Sequence, residues 1–543
     1  MPSLVTPSLE LRERYLQEAL SYFPKLLELV DKNRLSETYG CFDRAFWHYR
    51  TSDFPSGMYQ ESVLPLALVF GLESPNNPYF HEERIKEIAI AGIDFARKSA
   101  HADGSCDDYF PFERASGATA FSLYACTEAY RLLNLDRPDF LKFFKKTGRY
   151  LAGYGYEESG ILSNHKALII LCLFNVSLTT GDPFFKAQAR EKLDHLLSLQ
   201  DSEGWFPEYE GADPGYLTFT IDFLAKYFQR SKDEKVVQPL VRAIEFASYF
   251  MHPDGSFGGE YGSRNTFHFV PHGFELMASY TPWAVSTANQ FLDSIKTGKR
   301  SYIDDDRIFI HYVYNYLQAY QDFYSDRHTE ISQKDQIFQK IFPHASLLVQ
   351  NSKAGYAVFS LVKGGVGKIF KEKRLALSDC GLVGKTAQGV KFISQVIAPR
   401  EVKLTENELV VEGDCYEHRD ILFTPFLFVA FRLFMILLAR FLPANAVRKL
   451  LQKKAILKKK KAFPLKYQKR IPLDTLDYVD YTFYLKDPSV RIGELWIGSD
   501  PTFIYIATSQ PYQPGNLKLW IDLSGILSTL HEKGTATYRY KLS

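Results

Sequence analysis

From Leu9 to about Asp335 the apolar residues recur at three- and four-residue spacing, the period of helices with one buried face. Short turns rich in Gly, Asp and Pro interrupt the pattern. Four of these turns look alike: Ala102-Asp103-Gly104-Ser105, Glu158-Ser159-Gly160-Ile161, Ser202-Glu203-Gly204-Trp205 and Pro253-Asp254-Gly255-Ser256. Their glycines lie 56, 44 and 51 residues apart, which suits a helical hairpin as the repeating unit. Hairpins of this kind cannot each bury both faces alone, so the pattern predicts an α/α toroid over residues 1–335 with its turns gathered at one end.

Beyond Gln336 the texture changes to short β-branched and aromatic runs ended by Gly, Pro or Asn. Residues 345–350, 356–362, 391–397, 503–507 and 535–540 read as strands, and Glu401 to Glu412 as a hairpin turning at Glu406-Asn407. Many short strands in about 200 residues predict an antiparallel β-sandwich over 336–543 and a multidomain α + β chain.

One segment fits neither domain. Ile421 to Leu442 is mostly apolar and long enough to cross a bilayer, but Pro425, Arg432 and Arg440 interrupt it. Arg448 to Arg470 then carries eleven Lys or Arg and no acid. An apolar helix followed by a polybasic tract makes a two-signal anchor, at roughly 1 kcal/mol per basic residue near an anionic leaflet. A true span would split the sandwich across the membrane, so the expectation for 421–470 is an in-plane or re-entrant helix plus a basic insertion. The alternative is a helix packed on the sandwich with solvated lysines.

Composition narrows the class. A net charge of +2 excludes a generally basic nucleic-acid protein. The six cysteines form no CxxC pair and no metal-ligand spacing, so reduced thiols and no bound metal or cofactor are expected. Met1 to Leu29 is amphipathic rather than signal-like. These features, with the apolar and basic segment, predict a cytoplasmic protein, peripheral on the inner face of the cytoplasmic membrane, with an anionic membrane surface as a partner.

Two segments carry the candidate chemistry. Ser163-Asn164-His165-Lys166-Ala167 and Asp213-Pro214-Gly215-Tyr216-Leu217 each open an apolar helical run, bringing an amide, an imidazole and a phenol to neighbouring helix mouths. Together with the order of toroid and sandwich, they resemble the heparinase II/III group of polysaccharide lyases and its alginate-lyase relatives. The resemblance covers most of the chain as architecture and is specific from about Asp103 to Glu275. It implies β-elimination on a uronate-containing glycan, with an acidic polysaccharide or lipid-linked oligosaccharide as partner, Asn164 and His165 neutralising the carboxylate and Tyr216 moving the proton. The chemistry is coherent on its own terms. The C5 proton of a uronate leaves only once donors screen the carboxylate, and a phenol with a pKa of about 10 needs nearby positive charge to act as base.

Further candidates line the same cleft. The glycine-rich run Gly258 to Thr266 offers Tyr261, Arg264 and Asn265, followed by His268 and His272; Arg264 has the fork geometry for a carboxylate or sulfate. Asp108 and Glu113 are added from the turn after the first hairpin. Each has a structural alternative: Asn164 as a helix N-cap, His165 and Tyr216 as toroid wall, Arg264 paired with Glu260, and Asp108 and Glu113 as a salt-bridged turn. One departure stands out. The resemblance implies a further histidine in the β-domain, whereas Gly364 to Lys385 contains none and His344 is the nearest. The competing functions are a non-catalytic glycan-binding or scaffold protein and a toroidal glycoside hydrolase drawing two carboxylates from Asp107, Asp108, Asp213 and Asp222. The turns also resemble those of terpenoid cyclases, but Cys106-Asp107-Asp108 completes no acid-rich cyclase signature.

Overall fold

A computed structural model describes residues 7–154, 161–209, 211–327, 336–419, 422–442, 447, 461–502, 509–515 and 517–542. The helical part begins with α1 (Pro7–Ser21), α2 (Phe23–Leu29), α3 (Arg44–Trp47), α4 (Val63–Gly71), α5 (Glu83–Ser99), α6 (Ser116–Leu132) and α7 (Pro138–Ala152). It continues through α8 (Ser163–Thr180), α9 (Pro183–Ser198), α10 (Pro214–Ser231), α11 (Val237–Ser248), α12 (His272–Leu276), α13 (Pro282–Thr297) and α14 (Phe309–Gln321). In the inner ring α4 packs on α6, α6 on α8, α8 on α10, α10 on α12 and α12 on α14, and α14 returns to α4. Helices α5, α7, α9, α11, α13 and α1 pair with them outside.

Sequence explains the division. α6, α8, α10 and α14 are buried almost all round, as helices without a polar face must be. α5, α7 and α11 each bury one stripe, such as Ile85, Ile88 and Ile93 of α5.

The repeated turns have one geometry. In each of three, a backbone N–H reaches a carbonyl four residues on: His101 to Ser105 at 2.8 Å, Asp201 to Trp205 at 2.9 Å and His252 to Ser256 at 2.9 Å. The glycine of each has φ between 86° and 102° and sits against the next outer helix, where a Cβ would meet Thr147, Arg242 or Gln290 backbone. Gly40 makes the same approach, to Ala91 of α5, and is a further turn that the sequence reading passed over. The turn read at 158–160 lies outside the described residues.

The strands follow. A two-stranded ribbon, β1 (Ile161–Leu162) with β2 (Glu208–Tyr209), belongs to the toroid. Next comes a five-stranded meander of β3 (Phe338–Phe342), β4 (Leu347–Ser352), β5 (Gly355–Ser360), β6 (Gly367–Lys371) and β7 (Arg374–Asp379). The larger antiparallel sheet holds β8 (Leu382–Thr386), β9 (Lys391–Ile393), β10 (Glu401–Leu404), β11 (Glu408–His418), β12 (Ala462–Pro472), β13 (Tyr478–Leu485), β14 (Ile492–Ile497), β15 (Ile521–Asp522) and β16 (Thr535–Lys541). The inner strands of the meander, β4 to β6, are buried on both faces: Leu348, Phe359 and Ile369 face the large sheet, while Val349, Tyr356, Val358 and Phe370 join the toroid core. Alternate residues of a strand point to opposite faces, so a strand between two cores reads as an unbroken apolar run. The chain is a helical toroid joined to an antiparallel β-sandwich.

The segment between β11 and β12 holds a helix, which packs elsewhere than the alternative reading placed it, and the basic insertion ends earlier than expected. Helix α15 (Pro425–Leu437) has 13 residues, and no helix among the described residues is long and apolar enough to cross a membrane. It packs on the toroid, with Phe431 edge-on to Phe110 at 5.2 Å, rather than on the sandwich. The expected insertion through 470 is also too long. β12 takes up residues 462–472 as a central strand, burying Phe463, Leu465, Tyr467 and Ile471 on one face. Lys469 of that strand is itself buried, 2.5 Å from Asp379. Residues 448–460 of the basic tract and 503–507 lie outside the described set.

Candidate active site

The N-terminal ends of the inner helices α4, α6, α8, α10 and α14 meet at one mouth of the ring, whereas α12 begins further along α10. His311 of α14 bonds Glu61, just before α4, at 2.7 Å, and the His165 ring of α8 lies edge-on to Phe121 of α6 at 6.1 Å. Helix N-termini turn positive partial charge toward this opening, which favours an anionic ligand there.

Asn164 is the second residue of α8, and its amide serves as a tether rather than the N-cap considered from the sequence. Its backbone N–H and its Nδ2 both donate to Glu208 Oε1 at 2.9 Å. The ribbon that pairs Leu162 with Glu208 sets this contact across 44 residues of sequence. Glu208 is buried, and desolvation pushes its carboxyl up to about 8, against the opposing bonds from Asn164 and the charge of Arg264.

Tyr216 stands in the first turn of α10. Asp213 caps that helix, accepting the Tyr216 N–H at 3.0 Å, and also holds the Arg264 N–H at 2.8 Å. One carboxylate therefore ties the phenol's helix to the arginine's loop. The Arg264 guanidinium lies 3.9 Å over the Tyr209 ring and 5.5 Å from the Tyr216 ring centre. Tyr209 takes a φ of 60°, a left-handed conformation that a tyrosine holds only under constraint from its surroundings. His268 packs its ring 5.0 Å from that of Tyr216, and its Nδ1 shares a hydrogen bond with the Tyr312 hydroxyl. Burial raises the Tyr216 phenol above its ordinary value; Arg264 opposes the shift while Glu208 and Asp213 reinforce it. Burial, with His311 and Arg264 nearby, keeps the His268 imidazole neutral.

The structure thus gathers Asn164, Tyr216, Arg264 and His268 around Glu208 and Asp213. His165 turns instead toward α6, against Gly117 and Phe121. Asp108 and Glu113 lie at the rim. Asp108 accepts from Arg307 at 2.6 Å and from Ser56 at 2.8 Å, while Glu113 accepts the Asp108 and Tyr109 N–H groups at 3.2 and 2.6 Å. Desolvation and the neighbouring Asp108 push Glu113 up to about 7.

Three expected ligand contacts leave the set. Tyr261 is buried with its hydroxyl 3.0 Å from His252 Nε2, a core contact. Asn265 is buried under the sandwich, accepting from Lys363 and, at 3.4 Å, from Gln395. His272 lies further along α10, bonded to Asp322 at 2.8 Å and near Asp222 at 3.7 Å. The extended run from Thr266 to Pro271 carries it there, because it follows α10 from Gly215 to Asp222.

The Arg264 loop also rests on the sandwich. Lys363 donates to the Gly262 carbonyl at 2.5 Å, Ser509 donates to the Arg264 carbonyl at 3.0 Å, and Glu260 pairs with Lys368 at 3.2 Å rather than with Arg264. His344 is not near the mouth. It joins Asp201 and Glu203 on the turn after α9, the one group among the described residues whose ligand atoms lie close enough, within 4.8 Å, to hold a metal ion. Those atoms already clamp the two domains: Nδ1 of His344 is 3.0 Å from Asp201, and Glu203 accepts the His344 and Ala345 N–H groups at 2.8 and 2.9 Å.

Solved structures share this architecture. The Paenibacillus xanthan lyase superposes over 89% of this chain with a TM-score of 0.52 and 10% identity. The fold is the toroid and sandwich of that polysaccharide lyase. This chain spans 46% of the xanthan lyase's length. Heparinase III (TM-score 0.46, 11% identity, 89% of this chain and 78% of that one) and the Streptomyces coelicolor chondroitin AC lyase (0.47, 11%, 91% and 71%) are also similar. No protein-family model and no curated protein matches the sequence of this chain.

Proposed function

We propose that the protein is a polysaccharide lyase that cleaves a uronate-containing glycan by β-elimination. The observation that carries this reading is the phenol of Tyr216 at the toroid mouth, between the Arg264 guanidinium and the His268 ring. Arg264, aided by the helix N-termini, screens the uronate carboxylate, so that negative charge can spread from C5 into it, while the Asn164 amide tethers Glu208. The phenolate of Tyr216, formed against its raised pKa while Arg264 stabilises it, takes the C5 proton. The C5 electron pair forms the C4–C5 double bond as the C4–O bond breaks, and the new phenol returns its proton to the leaving oxygen. His268, neutral and in ring contact with Tyr216, positions the phenol.

The carboxylates considered for hydrolysis are committed elsewhere. Asp107 accepts the Phe112 and Arg114 N–H groups, Asp108 holds Arg307, Asp213 caps α10 and Asp222 pairs with the buried Lys226 at 2.6 Å. An inverting or retaining pair needs two carboxyls facing one sugar. Incubation with a panel of uronate polymers tests the reading, since elimination creates an absorbing unsaturated uronate. Binding without any rise in ultraviolet absorbance would make the protein a glycan-binding module instead.

A further inference from the structure

Eleven of the 27 large apolar side chains exposed among the described residues fall between 422 and 442. Leu422, Phe426, Val429, Leu433, Leu437 and Phe441 follow one another at three- and four-residue steps, a single stripe along α15 and its flanks, with Phe426 89% exposed. Residues 422–430 are exposed on every side, so the first turns of the helix stand clear of the body. The other end is anchored. Met435 is fully buried, Phe431 meets Phe110, and Arg432 reaches Asp53 at 3.2 Å. Phe110 adjoins Asp108 and Tyr109, which both bind Arg307 at the rim of the toroid mouth. The apolar helix therefore flanks the cleft. In sequence it is followed, from Arg448 to Lys461, by eight Lys or Arg in fourteen residues and no acid.

We propose that α15 docks the protein on an anionic lipid surface, lying in the headgroup layer and holding the toroid mouth against the bilayer. A protein partner would cover one face of the helix, whereas a headgroup layer surrounds the projecting turns on all sides. The basic run supplies the complementary charge that singles out an anionic surface. At 13 residues α15 lies in the interface and does not span it. Resting on the lyase reading, the substrate class is an acidic glycan tethered to that surface; the docking itself does not depend on catalysis.

Flotation of the full chain with phosphatidylglycerol–phosphatidylcholine vesicles tests the docking, with phosphatidylcholine vesicles alone as comparison. The expected result is at least tenfold tighter association with the anionic vesicles, weakened by high salt. The double variant Phe426→Glu, Leu433→Glu should lose at least tenfold of that binding, with an unchanged urea midpoint because both side chains are exposed. A wild-type chain that stays unbound to anionic vesicles at low salt overturns the proposal, as does a variant that floats equally well. Sedimentation showing a dimer that the variant dissociates, without vesicle binding, assigns the helix to a second copy and overturns it too. Absence of elimination activity leaves these outcomes unaffected.

Discussion

Glutamine in place of Glu208 keeps the shape of the side chain and removes its titration. Oε1 of Glu208 accepts both Asn164 bonds, and the Oε1 of a glutamine accepts the same two. The wild-type carboxyl is raised from 4.5 to about 8, so the folded state keeps a proton that the unfolded chain gives up. Its contribution to stability is complete below the unfolded value and is lost as pH climbs through the folded one. At 1.36 kcal/mol per unit the loss has a ceiling of about 4–5 kcal/mol, and about 2–4 kcal/mol is expected once the buried site relaxes. Urea unfolding followed by tryptophan fluorescence, at about pH 5, 7 and 9 for both proteins, isolates the effect. Other raised carboxyls, such as Glu113, cancel in the difference. Wild-type stability should fall relative to Glu208→Gln as pH rises. Parallel profiles, or a wild type that gains on the variant at high pH, would refute the claim that Glu208 is protonated beneath Asn164.

Three further outcomes follow from the same geometry. Arg264→Lys keeps the charge but loses the planar stack on Tyr209; kcat/KM on a cleaved uronate polymer should fall about 10²-fold, and near-normal kinetics would remove Arg264 from carboxylate screening. Gly204→Ala forces a Cβ to 2.4 Å from the Arg242 carbonyl at a φ of 102° and should cost about 1–3 kcal/mol in urea unfolding. Gly181→Ala, at a φ of 68° with open space around it, should cost less, and equal losses would show that packing of the repeated turn is not the cause.

Much of the architecture was legible because the physics was local. The recurrent glycine turns announced the hairpins, since each must let its backbone touch the next outer helix. The apolar runs of β4 and β5 announced strands, although not that they would be buried on both faces. The site was legible only in part. Asn164, Tyr216, Arg264 and His268 stand at helix openings or in the glycine-rich run and its extended continuation, where sequence gives a signal. Glu208 and Tyr209 gave none, because a two-residue ribbon has no periodicity and its partner lies 44 residues away. Arg307 was missed for the same reason, reaching Asp108 across 199 residues. His272 was misassigned because motif proximity does not reveal an extended segment running along α10, and Tyr261 because it does not reveal a ring turned inward onto His252. The strand in the basic tract was in principle readable: Phe463, Leu465, Tyr467 and Ile471 alternate, but the lysines between them drew the reading toward a surface.

The central claim is that Tyr216 moves the proton in an elimination. Mass spectrometry of the oligosaccharides released from a uronate polymer, by wild type and by Tyr216→Phe, tests it most directly. The account predicts wild-type products lighter by one water than hydrolysis products, and near-complete loss of release in Tyr216→Phe with polymer affinity within a few-fold, because the phenol acts in the transition state while the ring still packs on His268. Hydrated products, or full release by Tyr216→Phe, would contradict it.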